Sequence, residues 1–169
     1  MILSTARLEL DELTAGRDEA FVLALLNEPG FLDNIGDRGV RDLAGARGYI
    51  VDGPGASYAA NGFGLWRVVE KVSGAPVGIC GLVRRPGLEV PDVGYAFLAQ
   101  AAGRGYATES AAAVMAYGRQ ALGLGRLVAV TTPNNAASIK VLEKIGFVAA
   151  GMIMLPGRDD ESAYFVAEP

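Results

Sequence analysis

Two neighbouring stretches decide the fold: Asp92-Val-Gly-Tyr-Ala-Phe-Leu98, and then Gly103-Arg-Gly-Tyr-Ala-Thr108 running into an alanine-rich segment that lasts to about Leu122. The first follows the turn residues Pro86-Gly87 and Pro91 and reads as a strand. In the second, Ala107, Ala111, Val114, Gly118 and Ala121 recur at spacings of three and four, the mark of a helix whose small-residue face packs closely on a sheet. Gly123 and Gly125 end that helix. Residues 126–131 (Arg-Leu-Val-Ala-Val-Thr) are apolar and β-branched, as a buried strand should be. Strand, helix and strand in succession over 92–131 predict parallel pairing inside a mixed sheet.

Upstream, residues 64–70 and 76–84 read as two further strands, and Val72-Ser73-Gly74-Ala75 between them carries a hairpin turn. Residues 5–10 alternate polar and apolar and predict a strand. Thr14 to Ala20 offers a helix start, followed by the apolar stretch 21–26, which ends before Pro29-Gly30. Residues 31–62 hold many glycines; one short helix is expected near 42–51 and a loop through Gly53-Pro54-Gly55. Downstream, Pro133-Asn134-Asn135 leads into a second helix over about 136–145, stopped by Gly146, and 147–154 and 162–166 make two final strands. The expected fold is α/β (α+β): a mixed, mostly antiparallel central sheet of about six or seven strands with helices on both faces. No repeat, linker or second domain is visible, so residues 1–169 read as one domain.

With 51% hydrophobic residues, the 169-residue chain can build a sizeable core without disulfides or metal. Cys80 is the single cysteine, which excludes an internal bridge and points to a cytosolic protein. No apolar run approaches the roughly 20 residues of a membrane span, and the N-terminus lacks the basic-then-apolar order of a signal peptide. Net charge is −4 and no Lys/Arg run occurs, so nucleic acid is not the expected partner. There is no histidine, which excludes Ser-His-Asp and Cys-His mechanisms and His-based metal sites. Chemistry is left to carboxylates, hydroxyls, Lys/Arg, backbone amides or a borrowed group.

Gly103-Arg104-Gly105-Tyr106-Ala107-Thr108 between strand and helix is a specific physical object. Small residues let the chain turn tightly and bring N–H groups close to a ligand. The first helical turn has unsatisfied N–H donors and about half a positive charge. Such a turn binds phosphate without Lys or Arg; equally, its glycines could serve only to pack a helix near a strand. The Walker pattern is absent, and the dinucleotide fingerprint would need glycine where Ser110 stands.

Asp92-Val-Gly-Tyr95, Gly103-Arg-Gly-Tyr-Ala-Thr-Glu109 and Asn135-Ala-Ala-Ser138-Ile-Lys-Val-Leu-Glu-Lys-Ile-Gly-Phe147 together resemble the GNAT superfamily of N-acetyltransferases. They are most similar to the branch that holds ribosomal-protein N-terminal and spermidine acetyltransferases. Thr5-Ala-Arg-Leu and Ile35-Gly-Asp-Arg look like that branch too, so the resemblance covers most of the chain. It implies acetyl-CoA as co-substrate and no metal. The diphosphate would lie on the backbone amides of Gly103, Arg104, Gly105, Tyr106, Ala107 and Thr108. The strand at 92–98 would splay from that at 126–131, with the pantetheine arm in the gap bonded to the backbone of Phe97 and Leu98. A literal match of the superfamily pattern starts at Gln100, but a helix beginning after Ala107 aligns Gly105 and Ala107 with its two small positions and leaves Ala102 where Gln or Arg often stands.

The family often places a tyrosine acid seven residues after the motif asparagine, where this chain has Leu142. Ser138 is the replacement donor that the resemblance suggests, and it is equally a first-turn residue bonding locally. Asn135 is expected to cap the helix and contact pantetheine. Asp92 is the candidate general base, against its alternative as a solvated strand-start residue. Glu109 reads as structural, favoured in the first helical turn by the dipole. Glu161 and Asp159-Asp160 are acids of a loop; Tyr95, Tyr106 and Trp66 read as core or pocket wall, and Cys80 as an inert buried thiol. The activity implied is acetyl transfer to a primary amine (a protein N-terminus, a polyamine or a small amine) by direct attack in a ternary complex, with a non-catalytic acyl-CoA-binding or regulatory domain as the alternative. A monomer or homodimer is expected, with no membrane partner.

Overall fold

The computed structural model describes residues 1–169. One eight-stranded sheet runs in the order β1-β2-β3-β4-β5-β6-β8-β7, formed by β1 (Leu3–Ser4), β2 (Leu8–Glu12), β3 (Leu65–Glu70), β4 (Pro76–Val83), β5 (Asp92–Phe97), β6 (Leu127–Thr131), β7 (Val148–Ile153) and β8 (Ser162–Ala167). All neighbours are antiparallel except β5 and β6. The eighth strand, beyond the six or seven expected, is the two-residue β1. The strand expected at 5–10 starts only at Leu8, because Thr5 turns the chain: its N–H donates to Leu8 O at 2.9 Å and its hydroxyl accepts from Leu8 N at 3.0 Å.

Helices α1 (Glu19–Leu26), α2 (Pro29–Asn34), α3 (Leu43–Ile50) and α4 (Ala56–Asn61) precede β3, while α5 (Tyr106–Gln120) and α6 (Ala136–Lys144) lie on either side of β6 in sequence. Pro29-Gly30 does end α1, but Pro29 then occupies the first turn of α2, where its missing N–H costs nothing. The loop expected at 53–55 is instead a π-helical turn (Val51–Gly55) that carries α3 into α4.

The sheet separates two apolar cores. Leu8, Leu10, Trp66, Val68, Cys80 and Leu82 pack with Ala111, Val114 and Met115 of α5 and Leu142 of α6. On the other face Val22, Leu25, Leu26, Ala46 and Ile50 of α1 and α3 pack with Ile79. Helices therefore cover both faces, and the small residues Ala111 and Gly118 let α5 lie low on β4, with Gly118 against Leu82.

β5 and β6 meet at a single pair, Asp92 with Val128, beside one bond from Val128 N to Pro91 O at 3.2 Å. Beyond that point they part. The register with β4, together with the bond from Leu98 N to Val77 O at 2.9 Å, directs the even-numbered amides of β5 to β4. Alternation then turns the N–H groups of Tyr95 and Phe97 into the gap.

Candidate active site

The gap opens a cleft of about 670 Å³ that runs through the sheet. At one end stand Gly103, Gly105, Tyr106, Ala107 and Thr108. Gly103 and Gly105 have φ of +73° and +78°, a region costly for residues with a Cβ, and these two reversals bring the chain from β5 onto the axis of α5. The helix opens at Tyr106, ahead of the start expected after Ala107, with Gly105 as its N-cap and no side-chain cap. None of the six amides of residues 103–108 has a hydrogen-bond partner in the protein. Six donors at the positive end of a 15-residue helix form a site for an anion.

Side chains keep the turn in place and leave it open. Arg7 donates through Nη1 to Arg104 O at 2.8 Å and through Nε to Glu109 at 2.7 Å. Glu109 also accepts from Thr5 Oγ1 at 2.6 Å and Arg7 N at 2.9 Å, so it is a tether between the β1–β2 turn and α5, not a catalytic acid. Arg104 points away, paired with Glu70 and stacked 4.7 Å from the Tyr106 ring centroid. Its guanidinium is thus engaged elsewhere, while its amide is one of the turn's six unpartnered N–H groups. Ala102 lines the cleft and Gln100 does not.

Midway, Phe97, Tyr95, Asn135, Ser138 and Leu142 form the wall. Asn135 caps α6, its Oδ1 accepting from Ser138 N at 3.2 Å. Ser138 Oγ stands 2.9 Å from Tyr95 Oη. Burial pushes the Tyr95 hydroxyl up to about 12, against the lowering effect of the Ser138 bond. Tyr95 is therefore more than pocket wall: its hydroxyl is paired with Ser138. Leu98 leaves the expected cofactor set: it lies outside the cleft, its N–H is taken by Val77 O, and its carbonyl accepts from Ala101.

Residues 93, 95 and 97 face the α5 core, whereas Ala96 faces α1 and α3. Asp92 therefore shares the second face, and there it is 1% exposed. Arg85 donates to its carboxylate at 3.1 and 3.3 Å. Asp92 is thus a buried, paired acid in the cleft wall and not a solvated strand start. Burial pushes its pKa up, opposed by the Arg85 charge and bond. Asn34, Ile35, Arg38, Tyr49 and Arg158 complete this end. Asp159, Asp160 and Glu161 are exposed and take no part in the wall. Trp66 is core, edge-on to Tyr117. The Cys80 thiol is fully buried and pushed up to about 12 by burial, so it is inert. No cluster of three or more His, Cys, Asp or Glu side chains is placed to hold a metal, and no helix is long and apolar enough to cross a membrane.

A sheet split beside a helix whose N-terminal amides have no partner defines a class of protein whose cleft ends on main-chain donors. Comparison with known proteins says which. Residues 7–148 match the acetyltransferase (GNAT) domain family. An uncharacterised protein of Bacillus subtilis, YkkB, is 34% identical over 133 residues, covering 77% of this chain and 76% of that one. The crystal structure of an acetyltransferase from Agrobacterium tumefaciens superposes with a TM-score of 0.81 at 25% identity, covering 99% of this chain and 94% of the other. A putative ribosomal-protein-serine acetyltransferase from Vibrio cholerae gives 0.78 at 18% identity, over 98% and 96%. The chain belongs to the GNAT family and is an acetyl-CoA-dependent N-acetyltransferase.

Proposed function

We propose that the protein moves the acetyl group of acetyl-CoA directly to a primary amine within a ternary complex. The observation that carries this reading is the run of six unbonded amides, 103–108, at one end of a cleft that passes through the sheet to a buried carboxylate. The diphosphate lies on those amides, with the Thr108 hydroxyl beside them, and the pantetheine arm follows the open edge of β5, where the Tyr95 and Phe97 amides point. A main-chain donor there also stabilises the oxyanion of the tetrahedral intermediate, a contribution of about 3–4 kcal/mol where such donors have been removed.

Asp92 takes a proton from the ammonium, directly or through water, and the neutral amine then attacks the thioester carbon. The nitrogen–carbon bond forms first and gives the tetrahedral intermediate; the nitrogen sheds its second proton to water, collapse breaks the carbon–sulfur bond, and the departing thiolate receives a proton from Ser138 Oγ. Tyr95 Oη, 2.9 Å behind it, orients that hydroxyl and relays to it a proton drawn from solvent. No enzyme nucleophile is needed, since holding both substrates in one cleft supplies much of the rate. The Leu142 side chain, 1% exposed in the core, cannot act as an acid, so this role falls to the Tyr95–Ser138 pair. A single cysteine, buried and unpaired, fits a reducing cytoplasm.

The test is thiol release from acetyl-CoA with a panel of primary amines, run beside calorimetry with CoA. Amine-dependent thiol release with saturable CoA binding is expected. Saturable heat without release under any amine would make the protein a binder of acyl-CoA; no heat at all would remove the site.

A further inference from the structure

The mouth of the cleft on the Asp92 face is built by three loops, and each delivers one arginine: Arg38 after α2, Arg85 after β4 and Arg158 after β7. These loops are knit together. Arg158 Nη1 donates to Ile35 O at 3.3 Å, and a Cβ at Gly87 would stand 2.7 Å from the Pro156 ring. The charges of Arg38 and Arg85 both reach the Tyr49 hydroxyl, which lines the same mouth.

That charge is not balanced. Asp92 is the one acid in the cleft wall, and Arg85 occupies it. Arg38 makes no hydrogen bond or ion pair, and Arg158 meets only a backbone carbonyl. Nearby acids are engaged elsewhere or stay out: Asp37 is bound by Arg41, and Asp159, Asp160 and Glu161 form no ion pair and do not line the cleft. A chain of net charge −4 thus presents two uncompensated guanidinium groups at the acceptor mouth. A polycationic amine is repelled there, whereas a planar guanidinium matches a carboxylate through two charge-assisted hydrogen bonds. Between the arginines and the gap the wall is apolar, with Phe31, Ile35, Leu65 and Leu155.

We propose that the acceptor is a small primary amine with an apolar body and an anionic group, a carboxylate in the first place, which Arg38 and Arg158 hold while the amine faces Asp92. This rests on the transferase reading above and adds to it the acceptor's charge; the bonds made and broken are the same.

The test compares matched amines: L-leucine and L-phenylalanine, their carboxamides, their aminophosphonate analogues, a dipeptide with the same N-terminal side chain, and spermidine. Either free acid is expected to exceed its carboxamide in kcat/KM by about tenfold or more, because a site built to bond a group rejects the analogue lacking it. The phosphonates rank the two anions, and either anion beating the carboxamide supports the clamp. Arg38→Gln and Arg158→Gln should reduce the preference to about twofold through KM, less than half a kcal/mol, with the acetyl-CoA dissociation constant unchanged. Both side chains are exposed, so the fold tolerates the changes. The same ranking is read without turnover, from the melting temperature of the CoA-bound protein with each amine. Absent catalysis with an anion-dependent melting shift would sink the transferase reading alone. Carboxamide, dipeptide or spermidine matching the free acids in both readouts, or a preference that survives both substitutions, overturns the proposal.

Discussion

At Gly105 the backbone stands at φ +78° and an added Cβ would lie 3.3 Å from Arg7 Nη2. Any side chain there strains the turn, and a carboxylate also opposes the charge the turn is built to hold. Gly105→Glu should weaken CoA by about 100-fold or more, the cost of roughly two tenfold steps; an unchanged dissociation constant by calorimetry would discredit the anion site. Ser138→Ala removes a proton donor without touching the phosphate turn. Turnover should fall about 100-fold, the low end for acid–base groups, while acetyl-CoA affinity holds; Tyr95→Phe should fall less and flatten the alkaline limb of the kcat profile. Full turnover in Ser138→Ala would reduce it to a helix residue. For Asp92 the pH dependence is fixed in sign. A base acts ionised, and burial raises this carboxyl, so kcat/KM should fall at acid pH through a limb above the ordinary carboxylate range. Arg85→Gln deletes the charge that opposes burial and should move the limb to still higher pH; a limb that stays put shows that another group is the base.

Among the elements, the join of α1 to the sheet depends on a buried acid. Asp18 is 2% exposed and accepts from Thr14 N at 2.7 Å, from Arg17, and from Arg67 Nη1 at 3.1 Å. Burial works to raise its pKa, but the Arg17 and Thr14 bonds and the Arg67 charge outweigh it and hold the group below its unfolded value of 3.8. A depressed folded pKa stabilises above the unfolded one and is lost as pH falls through the folded value. Acid melts of the wild type should therefore steepen below about pH 4, and Asp18→Ala should cost about 3 kcal/mol at neutral pH, the low end for breaking a buried pair. Loss of under about 1 kcal/mol would rank the cluster with ordinary surface ion pairs. None of this network was legible in sequence, because Asp11, Asp18 and Arg67 meet only when β2 and β3 pair. Regular elements were legible. The three-and-four spacing of Ala111, Val114 and Gly118 predicted the α5 face, and the glycine turn showed through because positive φ restricts residue choice locally. Elements that break a local rule were missed: α2 begins at the proline that ends α1, and the π-helical turn contains Pro54 and two glycines. At the site, the turn could be read from the chain and Ser138 was suggested only by resemblance, whereas Tyr95 meets Ser138 through a contact 43 residues apart. The arginine mouth needed three folded loops.

Taken as a whole, the molecule is two half-sheets, β1–β5 and β6–β8–β7, joined through the single β5–β6 pair at Asp92 and Val128 and through α5 and α6. Each half brings one wall of the cleft, so a ligand lying in it bonds to both and resists their separation. Binding to the folded state alone stabilises by about 2.7 kcal/mol at 100 times the dissociation constant. For a domain of this size each kcal/mol raises Tm by about 2–4 °C, so CoA at that excess should raise Tm by about 5–10 °C. Adenosine, which lacks the diphosphate and the arm, should give almost none of it. Hydrogen exchange should slow in the amides of Tyr95, Phe97 and residues 103–108 together, since one ligand spans them. Protection confined to 103–108 would mean that the phosphates bind while the arm stays out of the gap, and the route of the thioester through the sheet would have to be redrawn.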